Sequence, residues 1–339
     1  MTARFSFPDG ACDGWENVLP FEEDAPDLDC EPNLDGEPDW DDEPTQDMRG
    51  TKELKRKIKL PPDEISWIYR AKNAKNEDIR MDHLIPGLCR GCVGILSGAG
   101  GGGKSYLALE IAYAAATGAH FFKTDGHEYV KQGERRKVKV LNFEDSYAVM
   151  WNRVGAIQEF IESQKESQEH NIPDWQGIYV AAIPEYAMAL KLVDRYGNID
   201  YDVYGWFKRQ AEGMDLMILD PLSQIHAANE NDNGQMSVLM SAFKNIAAST
   251  KAAILLVHHA SKGAVMNGQG ELQQATRGAS ALVDAARLCM TLLRDPKTKA
   301  IELSYPKING HSPIDKIELH RKDRGILIDV CAQKLSIPF

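Results

Sequence analysis

The chain lacks the features that mark membrane, secreted and disulfide-rich proteins. None of its apolar runs reaches the roughly 18 residues that a transmembrane helix needs, and residues 1–10 contain no apolar stretch of the kind found in signal peptides. Six cysteines among 339 residues are too few for a disulfide scaffold. These absences predict a cytoplasmic protein without a membrane partner, and a hydrophobic content of 43% provides for one substantial core.

Basic residues are scarce at the N-terminus. Residues 1–50 hold 16 acids and two arginines, a net charge of −14, whereas the rest of the chain, with 34 acids and 37 bases, carries +3. The segment is punctuated by proline and almost free of Ile and Val, so it cannot bury enough apolar surface to fold. We predict a disordered acidic tail that keeps the protein soluble. Alternatively, Trp15, Phe21 and Trp40 let it imitate single-stranded nucleic acid or dock on a basic partner.

The rest of the chain has no internal repeat, and strand and helix patterns alternate along it. A linker with one helix is predicted over residues 51–80, a folded domain over 81–335 and a short tip at 336–339. Strands are predicted at residues 92–97, 138–143, 178–183, 216–219, 253–257, 288–293, 300–305, 316–319 and 326–330, and helices at 65–74, 106–117, 146–164, 203–212 and 235–249. This alternation predicts an α/β fold with a mostly parallel central sheet flanked by helices, and the last strands predict an antiparallel extension at one edge.

Residues 98–105, with the sequence GAGGGGKS, match every position of the phosphate-binding pattern G-x-x-x-x-G-K-[ST]. A buried strand precedes them and an Ala/Leu-rich helix follows, which is the context that the pattern requires. The backbone N–H groups are expected to wrap the phosphates of ATP, with Lys104 reaching the β- and γ-phosphates. The residues predicted to bind the nucleotide are Gly98, Ala99, Gly100, Gly101, Gly102, Gly103, Lys104, Ser105 and Tyr106.

Two acidic positions follow apolar strands and supply what a phosphate loop needs for hydrolysis. Asp220 ends the run at 216–219 and is placed to hold Mg²⁺ together with the Ser105 hydroxyl, although an acid at an ordinary strand end gives the same pattern. Glu144 follows the strand at 138–143 and is placed to polarise a water in line with the γ-phosphate. The neighbouring Asp145 is interpreted as a helix N-cap or as a residue that supports the site.

The strand at 253–257 leads into two histidines and then into a long polar segment. His259 is predicted to touch the γ-phosphate, and His258 to be a buried structural histidine. Residues 260–277 are rich in glycine and amide side chains, and are predicted to grip nucleic acid through Lys262; a plain mobile loop is the alternative. Residues 221–234 are a second candidate for this role.

These residues, together with the blocks HHASK at 258–262 and RGAS at 277–280, resemble the RepA-like branch of RecA-fold hexameric replicative helicases of plasmids and phages. The resemblance covers residues 80–310 approximately, and those two blocks are its specific part. It implies a RecA-like P-loop ATPase that forms a ring of six, with ATP at each subunit interface and single-stranded DNA in the central pore. It also implies a catalytic Glu144, a magnesium-linked Asp220 and a phosphate sensor at His259.

The resemblance further implies a positive residue donated by the neighbouring subunit, which stabilises charge on the transferred phosphoryl group. Arg287, Arg277 and Lys307 are the candidates, and the sequence does not rank them. Arg287 stands where the RepA-like pattern places this finger. Lys307 resembles the Lys-x-Arg finger of the wider helicase group, but Asn309 replaces the arginine and leaves at most a partial finger. Arg277 alternatively anchors the following helix or touches DNA.

Two functions of different class remain open. The first is an ATP-dependent DNA helicase or translocase of phage or plasmid replication, with single-stranded DNA, further copies of the chain and other replication proteins as partners. The second is a RecA-fold ATPase that acts as a recombination mediator, helicase loader or regulatory switch without unwinding. Cys89 and Cys92 have zinc-site spacing but no second pair, so they are interpreted as structural. The terminal Ile-Pro-Phe resembles the tip of bacterial single-stranded DNA-binding proteins without its acidic flank.

Overall fold

The structure is a computed structural model that describes residues 82–117, 136–165, 177–259, 280–295 and 297–329. Several predicted features lie outside these residues. They are the acidic tail, the helix at 65–74, the segment at 260–277 with Lys262 and Arg277, and the tip at 336–339. Within the described part, no helix combines the length and apolar character that a membrane crossing needs.

Eleven strands and five α-helices form the described part of the chain. The strands are β1 (His83–Ile85), β2 (Leu88–Cys89), β3 (Val93–Gly98), β4 (Val138–Asn142), β5 (Ile178–Ala182), β6 (Leu216–Asp220), β7 (Ala253–His259), β8 (Leu288–Arg294), β9 (Ile301–Ile308), β10 (Ile317–Arg321) and β11 (Leu327–Asp329). The helices are α1 (Lys104–Thr117), α2 (Tyr147–Lys165), α3 (Tyr201–Ala211), α4 (Asn233–Thr250) and α5 (Ser280–Ala285). Short 3-10 turns cover Pro184–Tyr186, Leu222–Gln224 and Asp323–Gly325.

Nine strands form one sheet in the order β11-β10-β9-β8-β3-β7-β6-β4-β5. The six strands from β8 to β5 in this order are parallel, and β9, β10 and β11 extend the sheet in antiparallel fashion. The predicted architecture, a parallel sheet with an antiparallel extension at one edge, is therefore confirmed. The strand that precedes the phosphate loop, β3, lies inside the sheet between β7 and β8.

Both faces of the sheet are covered, which explains why its central strands are continuous apolar runs instead of alternating ones. In β6, Leu216 and Ile218 face one apolar cluster with α1 and α2, while Met217 and Leu219 face a second cluster with α3 and α4. All four side chains are fully buried. The register of the parallel strands sets the relative positions of their ends.

The elements differ from the predicted ones chiefly at their ends and in two short additions. Strand β7 continues to His259, two residues beyond the predicted end, so both histidines belong to the strand. Helix α1 begins at Lys104, inside the phosphate-binding pattern. The β1–β2 hairpin was not predicted, and no range was predicted for the short helix α5 that follows Arg277, because each has too few residues to show a periodic pattern.

A buried acid connects α1 to the antiparallel extension. Glu110 is fully buried, and its Oε1 accepts a 2.7 Å hydrogen bond from the backbone N–H of Leu327. Its Oε2 is buried without a hydrogen-bond partner in the described part of the chain. Burial raises the pKa of Glu110 well above its ordinary value, although the bond from Leu327 acts in the opposite direction. The folded protein therefore favours the neutral carboxyl group.

The substitution Glu110→Gln is expected to raise the free energy of unfolding more at pH near 8 than at pH near 5. The folded-state pKa of Glu110 exceeds the unfolded one, so ionisation destabilises the fold as the pH rises above the unfolded value. A neutral amide escapes this loss. Urea unfolding at the two pH values, with the exposed Glu212→Gln as control, measures the difference. If the increase in the free energy of unfolding caused by Glu110→Gln were smaller at pH near 8 than at pH near 5, the raised pKa of Glu110 would be contradicted.

Candidate nucleotide site

Four neighbouring parallel strands end at the same edge of the sheet, and each delivers a polar group there. In the order β3, β7, β6 and β4 these strands end at Gly98, His259, Asp220 and Asn142. Because the strands are parallel and in register, their carboxyl ends and the residues that follow come together. The predicted phosphate loop, Glu144, Asp220 and His259 are therefore neighbours in space, although 161 positions separate the first from the last.

The phosphate loop surrounds a buried ammonium group. Lys104 is only 4% exposed, and its Nζ donates hydrogen bonds of 2.9 Å to the carbonyl oxygens of both Gly98 and Ala99. Burial lowers its pKa, while the charges of Asp220 and Glu144 raise it. The loop continues directly into α1, whose first N–H groups have no partner within the helix and are suited to bind an anion. This arrangement fits the phosphates of a nucleotide.

Lys104, His259 and Glu144 form a chain of contacts across the site. Lys104 Nζ lies 3.1 Å from His259 Nδ1, and His259 Nε2 lies 3.5 Å from Glu144 Oε2. An ammonium group only donates hydrogen bonds, so Nδ1 accepts from Lys104 and the proton of the neutral imidazole is on Nε2, facing Glu144. The Glu144 side chain is 55% exposed and the His259 side chain 39% exposed, so both are open to solvent and to a ligand.

Ser105 and Asp220, the two predicted magnesium ligands, are also brought together. The Ser105 hydroxyl is hydrogen-bonded to the Asp220 carboxylate. Asp220 is 4% exposed, and burial raises its pKa, while the bond from Ser105 lowers it. Among the described residues, no group of three or more His, Cys, Asp or Glu could hold a metal. The Ser105 and Asp220 pair fits Mg²⁺, which binds few protein ligands and takes the rest from phosphate and water.

Asn142 organises the acidic side of the site and was not singled out in the sequence. Its Oδ1 accepts hydrogen bonds from the backbone N–H groups of Glu144 (3.1 Å) and Asp145 (2.7 Å). Its Nδ2 lies 3.2 Å from an Asp220 oxygen and 3.3 Å from an Asp145 oxygen. The side chain is 1% exposed, so these bonds hold the turn that carries Glu144 in place. The sequence did contain a signal for Asn142, since it is a polar residue at the end of the buried strand β4.

Asp145 has a supporting position. Arg153 on α2 binds both of its carboxylate oxygens, at 2.5 and 3.1 Å. The same guanidinium lies 5.7 Å from the centre of the Tyr106 ring, just after the phosphate loop. Of the two predicted interpretations, N-cap and supporting residue, these contacts favour the second. Asp145 joins α2 to the turn that carries Glu144.

Two further histidines lie behind the site and are buried. His258 is 5% exposed and His226 6% exposed. Burial is the main cause that lowers the pKa of each to about 4. Both are therefore neutral at physiological pH, and the position of His258 agrees with the structural role predicted for it. His226 precedes Glu230, whose Oε1 lies 3.7 Å from the His226 Nε2.

The two described finger candidates lie at the opposite edge of the sheet. The backbone N–H of Arg287 donates to the carbonyl of Val93, at the beginning of β3, whereas the phosphate loop follows the end of β3. That length of strand spans about 16 Å. Lys307 pairs with Cys289 near the same edge, and its Nζ donates to the carbonyls of Val283 and Asp284 at the end of α5. Neither residue is beside the phosphate loop of its own chain.

The second predicted nucleic-acid segment, residues 221–234, is packed against the protein. Leu222, Ile225 and Ala228 are buried within it. Backbone hydrogen bonds join it to residues 192 and 193, and Asp232 caps the N-terminus of α4. The segment contains no Lys or Arg. Residues 221–234 therefore provide no Lys or Arg side chain to bind DNA phosphates, and residues 260–277 remain the candidate for the DNA-contact segment.

The fold and the site have known relatives. Residues 61–265 match the AAA domain family. A solved ATPase domain is similar in structure, with a TM-score of 0.50 and 14% sequence identity, over 77% of this chain and 96% of that domain. A DnaB-like replicative helicase, described with its interactions with primase, gives a TM-score of 0.51 and 14% identity, over 76% of this chain and 66% of its own.

The family match extends over more than half of the chain, while the two structures, at 14% identity, bear on the fold alone. Their likeness confirms the predicted RecA-like architecture of a parallel sheet with a phosphate loop at its carboxyl edge. It agrees with the resemblance that the sequence motifs carry. The chain therefore belongs to the AAA domain family, and its fold is that of the RecA-like P-loop ATPases.

Proposed function

We propose that the protein is an ATP-driven DNA helicase or translocase of phage or plasmid replication, working in the cytoplasm as a ring on single-stranded DNA. The observation that carries this proposal is the position of His259. It contacts both Lys104 and Glu144, and residues 260–277, the predicted DNA-contact segment, follow it directly in the chain. A change at the phosphates is thus transmitted through one side chain to the segment that would hold DNA.

Each residue of the site has a chemical task in this proposal. Lys104 neutralises the β- and γ-phosphates, and Ser105 and Asp220 hold Mg²⁺, which supplies charge stabilisation at those phosphates. Glu144, held by the turn bonded to Asn142, orients a water for attack. When Lys104 turns toward a phosphate, His259 loses one hydrogen-bond partner and is free to bind the γ-phosphate itself.

The proposed ring is supported by the positions of the two described finger candidates, Arg287 and Lys307. Hydrolysis by this class of site benefits from a positive group that stabilises the charge of the transferred phosphoryl group. Arg287 and Lys307 lie about a strand length from the phosphate loop of their own chain, so either acts only on the nucleotide of a neighbour. Lys307 already holds the end of α5, which favours Arg287 as the finger.

The competing function is a mediator, helicase loader or regulatory switch that hydrolyses ATP without unwinding. ATP hydrolysis measured with and without single-stranded DNA, together with unwinding of a forked duplex, separates the two. We expect stimulation of hydrolysis by DNA, and unwinding that requires ATP. Stimulated hydrolysis without unwinding would favour the mediator, and the absence of any hydrolysis would contradict both functions.

The substitution Glu144→Gln is expected to lower kcat for ATP hydrolysis by about 100-fold or more, with ATP binding retained. The amide keeps the size of the side chain but cannot act as a base. The neighbouring Asp145→Asn is the matched control, since it weakens the bond to Arg153 and should lower kcat by less than about tenfold. If Asp145→Asn had the larger effect on kcat, the base would have to be reassigned.

Mixing two inactive variants tests whether the site is shared between chains. Glu144→Gln and Arg287→Ala subunits, mixed in equal amounts, are expected to recover about a quarter of the wild-type interfaces, because each supplies the residue that the other lacks. A mixture of Glu144→Gln with Lys104→Ala should recover nothing, since both defects are in the same half of the site. Recovery in neither mixture would eliminate Arg287 as the finger and direct the same test to Lys307.

A further inference from the structure

The antiparallel extension of the sheet reaches back to the phosphate loop. Residues 321–327, which join β10 to β11, will be called the C-terminal connection. It contacts the loop and the helix that follows it, although more than 200 positions separate the two in sequence. None of these contacts belongs to the catalytic arrangement described above.

Arg321 makes the most direct of these contacts. Its Nη2 donates a 2.8 Å hydrogen bond to the carbonyl oxygen of Gly102 and lies 3.4 Å from that of Gly101. Gly103 has φ near +107°, and a Cβ at that position would lie only 2.8 Å from Arg321 Nη2. The positive φ favours glycine at position 103, and a Cβ there would have to displace the Arg321 guanidinium from the loop.

The rest of the C-terminal connection is fixed to the same unit. Gly325 lies against the ring of Tyr106, so closely that a Cβ would be 2.7 Å from it. The N–H of Leu327 donates to the buried Glu110 in α1, and Arg324 pairs with Glu159 in α2. Arg321 is therefore attached to a support that is braced against the first two helices of the site.

A second positive charge acts on the Arg321 guanidinium. Burial and the positive charge of Arg294 lower the pKa of Arg321, while Tyr106 raises it, so Arg321 experiences repulsion from a second guanidinium. A bound phosphate group would relieve this repulsion. The carbonyls of Gly101 and Gly102 offset it in part, since each accepts from the guanidinium.

We infer that Arg321 is a positioning residue that orients the phosphate loop for nucleotide binding from within the same chain. In a trans peptide the C=O and N–H point in opposite directions. By holding the Gly102 carbonyl, Arg321 turns the N–H of Gly103 away from itself and fixes it beside those of Lys104 and Ser105 at the start of α1. Preorganised N–H groups bind phosphate without a further loss of backbone freedom. The inference rests on the proposed nucleotide site.

The test compares three variants of the 339-residue protein, with MgADP as the probe. Arg321→Ala removes the hydrogen bonds, Arg321→Lys keeps the charge with a single compact donor, and Lys322→Ala removes the same charge from the exposed neighbouring position. We expect the Kd of MgADP to rise about tenfold in Arg321→Ala and by a smaller factor in Arg321→Lys. Lys322→Ala should bind as the wild type does.

Comparing KM and kcat of Arg321→Ala with those of the wild type shows whether Arg321 positions the phosphate loop or only stabilises the fold. Arg321→Ala is expected to raise KM for ATP with little change in kcat. The Tm of the nucleotide-free protein should change little, because residue 321 is exposed overall although its guanidinium is partly buried against the loop. An unchanged Kd in Arg321→Ala, an equal loss in Lys322→Ala, or a lower Tm that accounts for the loss would each overturn the inference. Failure of the wild type to bind MgADP would instead overturn the nucleotide site itself.

Discussion

The buried ammonium group of Lys104 is the charge on which the rest of the site depends. Taking an ammonium ion out of water costs on the order of several kcal/mol unless partners replace the lost hydration. Lys104 has two carbonyl oxygens of its own loop, the imidazole of His259 and the nearby carboxylates of Asp220 and Glu144. These partners come from different parallel strands, so the site exists only because the register of the sheet brings the strand ends together.

Because Lys104 shares its partners with other residues of the site, binding of a phosphate at Lys104 changes the contacts of His259. Lys104 cannot turn toward a phosphate without giving up a present partner, and His259 is one of them. His259 in turn faces Glu144, whose backbone is held by Asn142, which also contacts Asp220. In the proposed function, loss of the γ-phosphate therefore changes the environment of His259 and, through the end of β7, of the residues that follow it. The antiparallel extension also contacts the same loop, through the bond from Arg321 to the Gly102 carbonyl.

The sequence predicted the parts of this arrangement that depend on local pattern. Apolar runs revealed the buried strands, and polar residues at their ends, such as Asp220 and His259, were found because strand ends in a parallel sheet meet at one edge. Asn142 and Arg153 were missed, because their roles depend on the residues that they contact in the folded protein and no sequence motif marks them. Arg321 had no local signal at all, since its contact with Gly102 spans 219 positions. The roles of Glu144 and Arg287 remain predictions that depend on chemistry and assembly.

In the proposed function, the catalytic groups of one site come from two neighbouring chains. The most direct test is the ATPase activity per chain as a function of protein concentration, with the oligomeric state measured in parallel under the same conditions. Activity per chain is expected to rise steeply where chains assemble and to fall toward zero when they are dilute and monomeric. Activity per chain that stays constant down to concentrations at which the protein is monomeric would contradict the shared site.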